Sequence, residues 1–330
     1  MKVFVAGASG AVGKRLVPQL IAGGHDVVAL TRSTEKAHGL RALGAEAVIA
    51  DALDRAAVMQ VVMRSEPEVI IHQLTGLSGL KSFRNFDKEF ALTNRLRTEG
   101  TDHLLAAARA AGARRFIAQS YGNWNYERTG TRLKTEDDPL DPSPPANQTR
   151  SLEAIRYLER AVLGAEGIEG IALRYGNFYG PGTALALDGD IVRQVRRRAF
   201  PLVGAGGGVW SFVHVDDVAA AAALAIERGA PGIYNVADDE PVEVATWLPA
   251  LAEDVGAKPP RRVPVWLGRL FAGDVGVSMM TRIRGTSNAK AKRQLGFVPR
   301  YPSYREGFAS GLGDVPVADP SARSVAGGGR

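Results

Sequence analysis

The sequence predicts an α/β fold, a doubly wound parallel sheet with helices on both faces and a smaller C-terminal lobe. Three observations predict it. The chain opens on a Val- and Phe-rich strand that breaks into glycines three apart. Short apolar runs then alternate with helical stretches, the pattern of successive βαβ units. One of those runs, Val69-Ile70-Ile71-His72-Gln73-Leu74-Thr75, is apolar on both faces, as a strand buried by helices on each side must be.

Composition sets bounds on function. A chain of 330 residues that is 45% hydrophobic can bury a large core. It has no cysteine, so disulfide frameworks, thiolate nucleophiles and cysteine metal sites are excluded, and its five scattered histidines show no metal-ligand spacing. The net charge of +6 invites a nucleic-acid reading, but basic and acidic residues are interleaved along apparent helices. The densest basic run, Arg193, Arg196, Arg197 and Arg198, cannot share one helix face and carries no interleaved aromatics. It reads as a solvated helix face, with an anionic substrate tail as the alternative. No nucleic-acid partner is expected. No signal core and no membrane-length apolar run stand out, so no membrane partner and a cytoplasmic location are the expectations.

The first strand is followed by Gly7-Ala8-Ser9-Gly10-Ala11-Val12-Gly13 and a helix to Ala22. Gly7 permits the tight turn, Gly10 lets backbone approach a pyrophosphate, and Gly13 lets the helix pack closely on the sheet. The free N–H groups at the start of that helix would hold phosphates, so Gly7, Ser9, Gly10, Ala11, Val12 and Gly13 form the expected cradle of a dinucleotide. The fold is thereby expected to be of Rossmann type.

The second strand, Asp26 to Leu30, runs into Thr31-Arg32-Ser33-Thr34-Glu35. An acid at this point would bind a ribose 2′-hydroxyl, whereas Arg32 suits a 2′-phosphate. NADP(H) is therefore expected in preference to NAD(H). The third strand, Ala47 to Ala50, ends in Asp51-Ala52; Asp51 is placed either to meet an adenine amino group or to cap the next helix. The fourth strand brings Leu74, Thr75 and Gly76 to the sheet's carboxyl edge, and His72 within it reads as a core histidine. A long helix, Phe86 to Ala111, is predicted to stop at Gly112.

The fifth strand, Arg115 to Gln119, delivers Ser120 and Tyr121 at the edge where open parallel sheets bind ligands. Residues 122–147 read as a long loop, a lid or substrate segment carrying Trp124 and Tyr126. A helix from Ser151 to Ala165 follows, with Ile155, Leu158 and Val162 on its apolar stripe. The sixth strand, Ile168 to Tyr175, leads to Asn177, Phe178 and Tyr179. Residues 1–175, joined again by 212–238, are the expected dinucleotide-binding domain, and 176–211 with 239–312 the expected substrate lobe. Residues 313–330 turn to Gly, Pro, Ser and Ala and are expected to lack order.

Taken together, Gly7 to Gly13, Leu173-Arg174-Tyr175-Gly176-Asn177-Phe178-Tyr179-Gly180-Pro181-Gly182, Phe212-Val213-His214-Val215-Asp216-Asp217 and Ser287-Asn288-Ala289-Lys290 resemble the extended short-chain dehydrogenase/reductase family, which includes nucleotide-sugar epimerases and dehydratases. The resemblance covers about residues 1 to 310, is closest to the family's atypical members, and implies cofactor contacts at Tyr175, Asn177 and Phe178. It also implies a catalytic tyrosine followed four residues later by lysine. Matching the helix that contains Leu152 puts Asn147 at the tyrosine position and Ser151 at the lysine position. Neither can exchange a proton or supply a charge. No tyrosine in the chain has a lysine four residues on. The family's third catalytic residue falls on Ser120 or Tyr121, which points to a relocated acid, Tyr121, with Lys134 supplying the positive charge. The alternative is that Tyr121 packs and Lys134 is solvated.

The implied function is an NADP(H)-dependent oxidoreductase of a small carbonyl, alcohol or activated alkene, its substrate enclosed by Trp124, Tyr126, Tyr179 and Trp210. Two alternatives stand beside it, a degenerate NADP(H)-binding protein and, ranked lower, a nucleotide-sugar epimerase or dehydratase. No metal is expected. The relatives suggest a homodimer through the helices that contain Asn94 to Ala110 and Ser151 to Ala165.

Overall fold

The structure, a computed structural model, describes residues 1–77 and 83–313. The expectation about 313–330 therefore falls outside the described residues, Gly313 excepted.

The first half is a regular alternation: β1 (Lys2–Ala6), α1 (Gly13–Ala22), β2 (Asp26–Thr31), α2 (Thr34–Ala42), β3 (Glu46–Ile49), α3 (Arg55–Ser65) and β4 (Val69–His72). The predicted long helix is instead α4 (Phe86–Glu89), α5 (Ala91–Arg95), a π-helical turn (Leu96–Gly100) and α6 (Thr101–Ala110). Gly112, at φ +73°, closes it. Then come β5 (Arg115–Tyr121), β6 (Leu133–Lys134), α7 (Thr149–Leu163), β7 (Glu169–Tyr175), β8 (Asn177–Tyr179) and α8 (Asp190–Arg196). The remainder comprises β9 (Leu202–Val203), β10 (Val209–Trp210), β11 (Phe212–His214), α9 (Val215–Leu224), β12 (Gly232–Val236), β13 (Val242–Glu243), α10 (Val244–Asp254), β14 (Arg262–Val263), α11 (Val265–Thr281), β15 (Gly285–Thr286), α12 (Ala289–Leu295) and α13 (Tyr304–Ser310).

Seven strands form one sheet in the order β12-β7-β5-β4-β1-β2-β3, every pair parallel. The strand order reverses beside β1, so the carboxyl ends of β1 and β4 open the crevice where such sheets bind ligands. Alternation along β1 explains the layers. Val3 and Val5 face a core with Leu16 and Val17 of α1 and Val218 of α9. Phe4 and Ala6 face the opposite core with Val62, Leu104 and Leu158.

A third core gathers Trp210, Phe212, Trp247, Leu251, Tyr304 and Phe308. The apolar stripe of α7 is spent inside the molecule, with Ile155, Leu158 and Val162 all fully buried. The loop expected as a lid is anchored. Its β6 pairs in parallel with β15, Tyr126 bridges to Leu140, and Arg128 pairs with buried Asp141 at 2.7 Å.

Candidate active site

The turn after β1 has the geometry a phosphate cradle requires. Gly7 adopts φ +94°, and a Cβ there would lie 2.5 Å from the Gln73 carbonyl oxygen. A Cβ on Gly13 would lie 2.4 Å from Ala8 backbone, so the start of α1 approaches the turn after β1 as only glycine allows. At Gly10, by contrast, a Cβ would meet only the Gly7 carbonyl oxygen, at 3.3 Å. The Gly10 amide donates to that oxygen at 3.0 Å, which closes the turn and leaves the amides of Ala11 and Val12 at the open start of α1. Ser9 accepts from the Thr31 hydroxyl at 3.4 Å, tying the turn to the end of β2. These features fit a dinucleotide pyrophosphate, and exposed Arg32 stands directly after Thr31.

Asp51 is exposed and accepts from the Leu53 amide, while the cap of α3 is Asp54, which accepts from Ala57. Ala52 is buried, and its carbonyl oxygen lies 3.0 Å from His103 Nδ1. Leu74, Thr75 and Gly76 lie beyond the end of β4, with Gly76 donating to Thr93. His72 is enclosed, its Nε2 3.2 Å from the Leu96 carbonyl oxygen and its Nδ1 accepting from Leu74. Burial lowers its pKa to about 4, so the ring is neutral.

Ser120 and Tyr121 project to opposite sides of β5. Ser120 donates to Glu159 at 2.7 Å on the α7 side. Tyr121 donates its phenolic proton to Asn177 Oδ1 at 2.5 Å, and its ring lies 5.4 Å from Trp124. Asn177 is itself held, donating to Asn123 at 2.8 Å and to the Ser211 carbonyl at 3.1 Å. Burial pushes the Tyr121 pKa well up, with Arg97 opposing, so Tyr121 is a neutral phenol whose proton is engaged.

The positions where the resemblance asks for tyrosine and lysine are built into the scaffold. Asn147 donates to the carbonyl oxygens of Phe83 and Arg84. Ser151 is fully buried, and its hydroxyl donates to Asp87 at 2.6 Å and accepts from Asn94. Asp87 also accepts the backbone amides of Arg150 and Ser151, so a carboxylate occupies the start of α7.

Lys134 is 3% exposed and pairs with Asp138 at 3.2 Å, and no contact joins it to Tyr121 among the described residues. The cation that acts on Tyr121 is Arg97, a residue that sequence reasoning passed over. It sits on the π-helical turn, 4% exposed, and its Nη1 has no hydrogen-bond partner among the described residues. Burial lowers its pKa to about 10, and the charge of Glu159 opposes that fall, so it stays charged at neutral pH. Its only sequence signal is a place at helical spacing from Phe90 and Leu104, a face it shares with Thr93, Gly100 and Thr101.

Of the four residues expected to line a substrate, only Trp124 stands beside Tyr121, wedged between it and Phe86. All four are buried, Trp124 included, and the other three make their contacts away from Tyr121. Tyr126 donates to Asn235, Trp210 donates to the Met279 carbonyl, and Tyr179 sits among Phe212, His214, Tyr301 and Phe308. Tyr175 is buried and accepts from Gln73 at 3.3 Å, while Phe178 remains partly exposed beside it. No group of metal-ligating side chains occurs among the described residues.

Known proteins share this architecture. The model of the NAD dependent epimerase/dehydratase family matches residues 3–237. A 3-diazoavenalumate denitrifying reductase from a Streptomyces species is 44% identical over 309 residues, 93% of this chain and 99% of that one. A 4-hydroxy-2-methyl-3-oxo-4-farnesyl-3,4-dihydroquinoline-1-oxide ketoreductase from Stigmatella aurantiaca is 31% identical over 78% of this chain and 74% of its own. Among solved structures, the UDP-glucose 4-epimerase of Thermus thermophilus in complex with NAD superimposes with a TM-score of 0.71 at 25% identity, covering 94% of this chain and 98% of that one.

Proposed function

The chain belongs to the NAD dependent epimerase/dehydratase family, and from that premise we propose that it is an NADP(H)-dependent reductase of aromatic diazo carboxylates. One observation carries the reading. The positions of the proton-exchanging pair are filled by Asn147 and Ser151, both committed to structural hydrogen bonds, and the phenol at the edge, Tyr121, is neutral and already donating to Asn177. Reduction of a carbonyl leaves an alkoxide that needs a proton. An arenediazonium carbon instead gains a hydride and loses dinitrogen, so the C–N bond breaks, a C–H bond forms, and no proton is consumed. A site stripped of its acid suits that reaction, and the 44% identical relative is named for a diazo substrate.

NADPH, when bound, would supply the hydride. The turn from Gly7 to Gly13 would hold its pyrophosphate, and Arg32 its 2′-phosphate. The partly exposed ring of Tyr121, backed by buried Trp124, offers an aromatic wall for a planar ring. The free Nη1 of Arg97 is a buried cationic donor for an anionic oxygen of the substrate. Tyr121 and Asn177 keep the space polar, but their protons are already engaged, that of Tyr121 by Asn177 and those of Asn177 by Asn123 and the Ser211 carbonyl.

The second reading, carbonyl reduction with Tyr121 as acid, is favoured by the place of Tyr121 at the carboxyl end of β5 and by the ketoreductase relative. The trial is turnover of NADPH and NADH with aryl diazo carboxylates and with ketones, in wild type and Tyr121→Phe. The expected result is NADPH-dependent loss of dinitrogen, deuterium from C4-labelled NADPH on the ring carbon, and a change within about threefold in the variant. Ketone turnover that falls by roughly 10²–10⁴ in Tyr121→Phe would establish the second reading instead. Cofactor binding without turnover of either class would defeat both.

A further inference from the structure

The first half of α11 carries an apolar face turned to solvent. Trp266 is 67% exposed, Phe271 70%, Leu270 54% and Val265 39%. The segment is anchored through Gly268, which packs on Val203 so closely that a Cβ there would clash, and through Val265, which packs against Gly204. The helix kinks at Gly273, where φ is +67°, and beyond the kink it packs on Phe83 and Arg84, with Arg84 donating to the Leu270 carbonyl. The exposed half is therefore a fixed ridge.

Basic residues line the segment that leads into the ridge. β14, with Arg262, pairs with β9 directly before it, and Arg261 and Lys258 precede it, all exposed. Arg196 and Arg198 reach the same stretch by donating to the carbonyls of Val255 and Pro259, with Arg197 exposed between them. The nearby acids are Glu253, Asp254 and Asp274, and Asp274 is taken by Arg269 at 2.8 Å. Lys258, Arg261 and Arg262 have no salt-bridge partner among the described residues.

We propose that this ridge is a docking surface for an anionic lipid bilayer, with Trp266, Leu270 and Phe271 entering the interfacial layer and the adjoining arginines and Lys258 meeting the headgroups. Protruding aromatic and aliphatic side chains with a basic border are what an interface-lying helix presents. A second copy of the chain is disfavoured, since a two-fold contact would set this basic border against itself. The proposal concerns docking on a surface; among the described residues no helix is long and apolar enough to cross a membrane.

The protein carries its own probe. Of its four tryptophans, Trp124, Trp210 and Trp247 are buried and Trp266 alone is exposed, so a vesicle-induced blue shift of emission reports on the ridge. The full chain would be mixed with phosphatidylcholine vesicles, with and without about one-third phosphatidylglycerol, and sedimented. The expected result is a blue shift and co-sedimentation with the anionic vesicles only, lost in Trp266→Ser/Phe271→Ser and cut at least about tenfold in Arg261→Glu/Arg262→Glu. Both variants change solvent-facing side chains, and an unaltered melting temperature would show that they remain folded. Four outcomes would overturn the proposal. These are failure to bind anionic vesicles, equal binding to neutral ones, a blue shift that grows with protein concentration without lipid, and a Trp266 that emits as a buried indole from the start.

Discussion

At the scale of single residues, two buried groups decide how the carboxyl edge behaves. Arg97 is a cation without a full set of partners, and such a group costs stability unless something binds it. If it receives the substrate carboxylate, Arg97→Met should raise KM for carboxylate-bearing diazo substrates by about tenfold or more and leave uncharged analogues unaffected. Equal effects on both would reduce Arg97 to a structural role. His72 gives a pH signature. Its folded pKa of about 4 lies below the ordinary 6.5 because burial disfavours the charged ring. Above pH 6.5 both folded and unfolded states are neutral there and its contribution is complete. As pH falls, the unfolded state takes up a proton the folded state refuses, so stability declines between pH 6.5 and 4, by roughly 2 kcal/mol at pH 5. Denaturant unfolding at pH 7 and pH 5 should show this loss in wild type and a smaller one in His72→Gln. An identical loss in both would mean that His72 titrates normally.

At the scale of elements, the β1–α1 unit separates what glycine does for the fold from what it does for a ligand. Gly7 and Gly13 are required by the chain itself, through a positive φ and a backbone contact, but Gly10 has room for a methyl group apart from a tight contact with the Gly7 carbonyl. Gly10→Ala should therefore keep the melting temperature of the ligand-free protein within a few degrees while weakening NADPH binding about tenfold or more, as calorimetric titration would read. Undiminished affinity would remove Gly10 from the phosphate cradle. The same unit shows why the fold was legible in sequence, since strand, glycine spacing and helix lie within two dozen residues and each follows local rules. What escaped depends on contacts distant in sequence. The π-helical turn that turns Arg97 inward follows from packing of residues 96–100 against α7 and β4, and periodicity alone reads through it as ordinary helix. The pairing of β6 with β15 joins two-residue strands about 150 residues apart, so residues 122–147 read as a free loop when they are anchored. The family match alone puts Asn147 and Ser151 at the tyrosine and lysine positions, and their engagement by Arg84 and Asp87 is a tertiary fact.

At the scale of the whole molecule, one buried ion pair joins parts that the chain order keeps far apart. Glu159 of α7, 4% exposed, takes two hydrogen bonds from Arg174 of β7, each 2.7 Å, and a third from Ser120 of β5. Arg174 passes the connection on to Tyr126 at 2.9 Å, and Tyr126 donates to Asn235 of β12 at 2.6 Å. Burial opposes the charge on Arg174, and the hydrogen bonds from its side chain to Glu159 more than restore it. Removing one member strands the other charge in a low-dielectric interior, whereas removing both deletes the desolvation cost as well. Glu159→Gln should therefore lower the unfolding free energy by roughly 3–5 kcal/mol, and Glu159→Leu combined with Arg174→Met should cost less than the sum of the single changes. Denaturant titrations of Glu159→Gln, of the two single changes Glu159→Leu and Arg174→Met, and of their combination provide the comparison. Because Tyr126 and Asn235 hang from the same pair, a two-state transition in wild type that separates into two in Glu159→Gln would show that this network makes the anchored loop and the sheet unfold as one body. A loss below about 1 kcal/mol in Glu159→Gln, or additive costs in the double variant, would mean that packing alone holds them together.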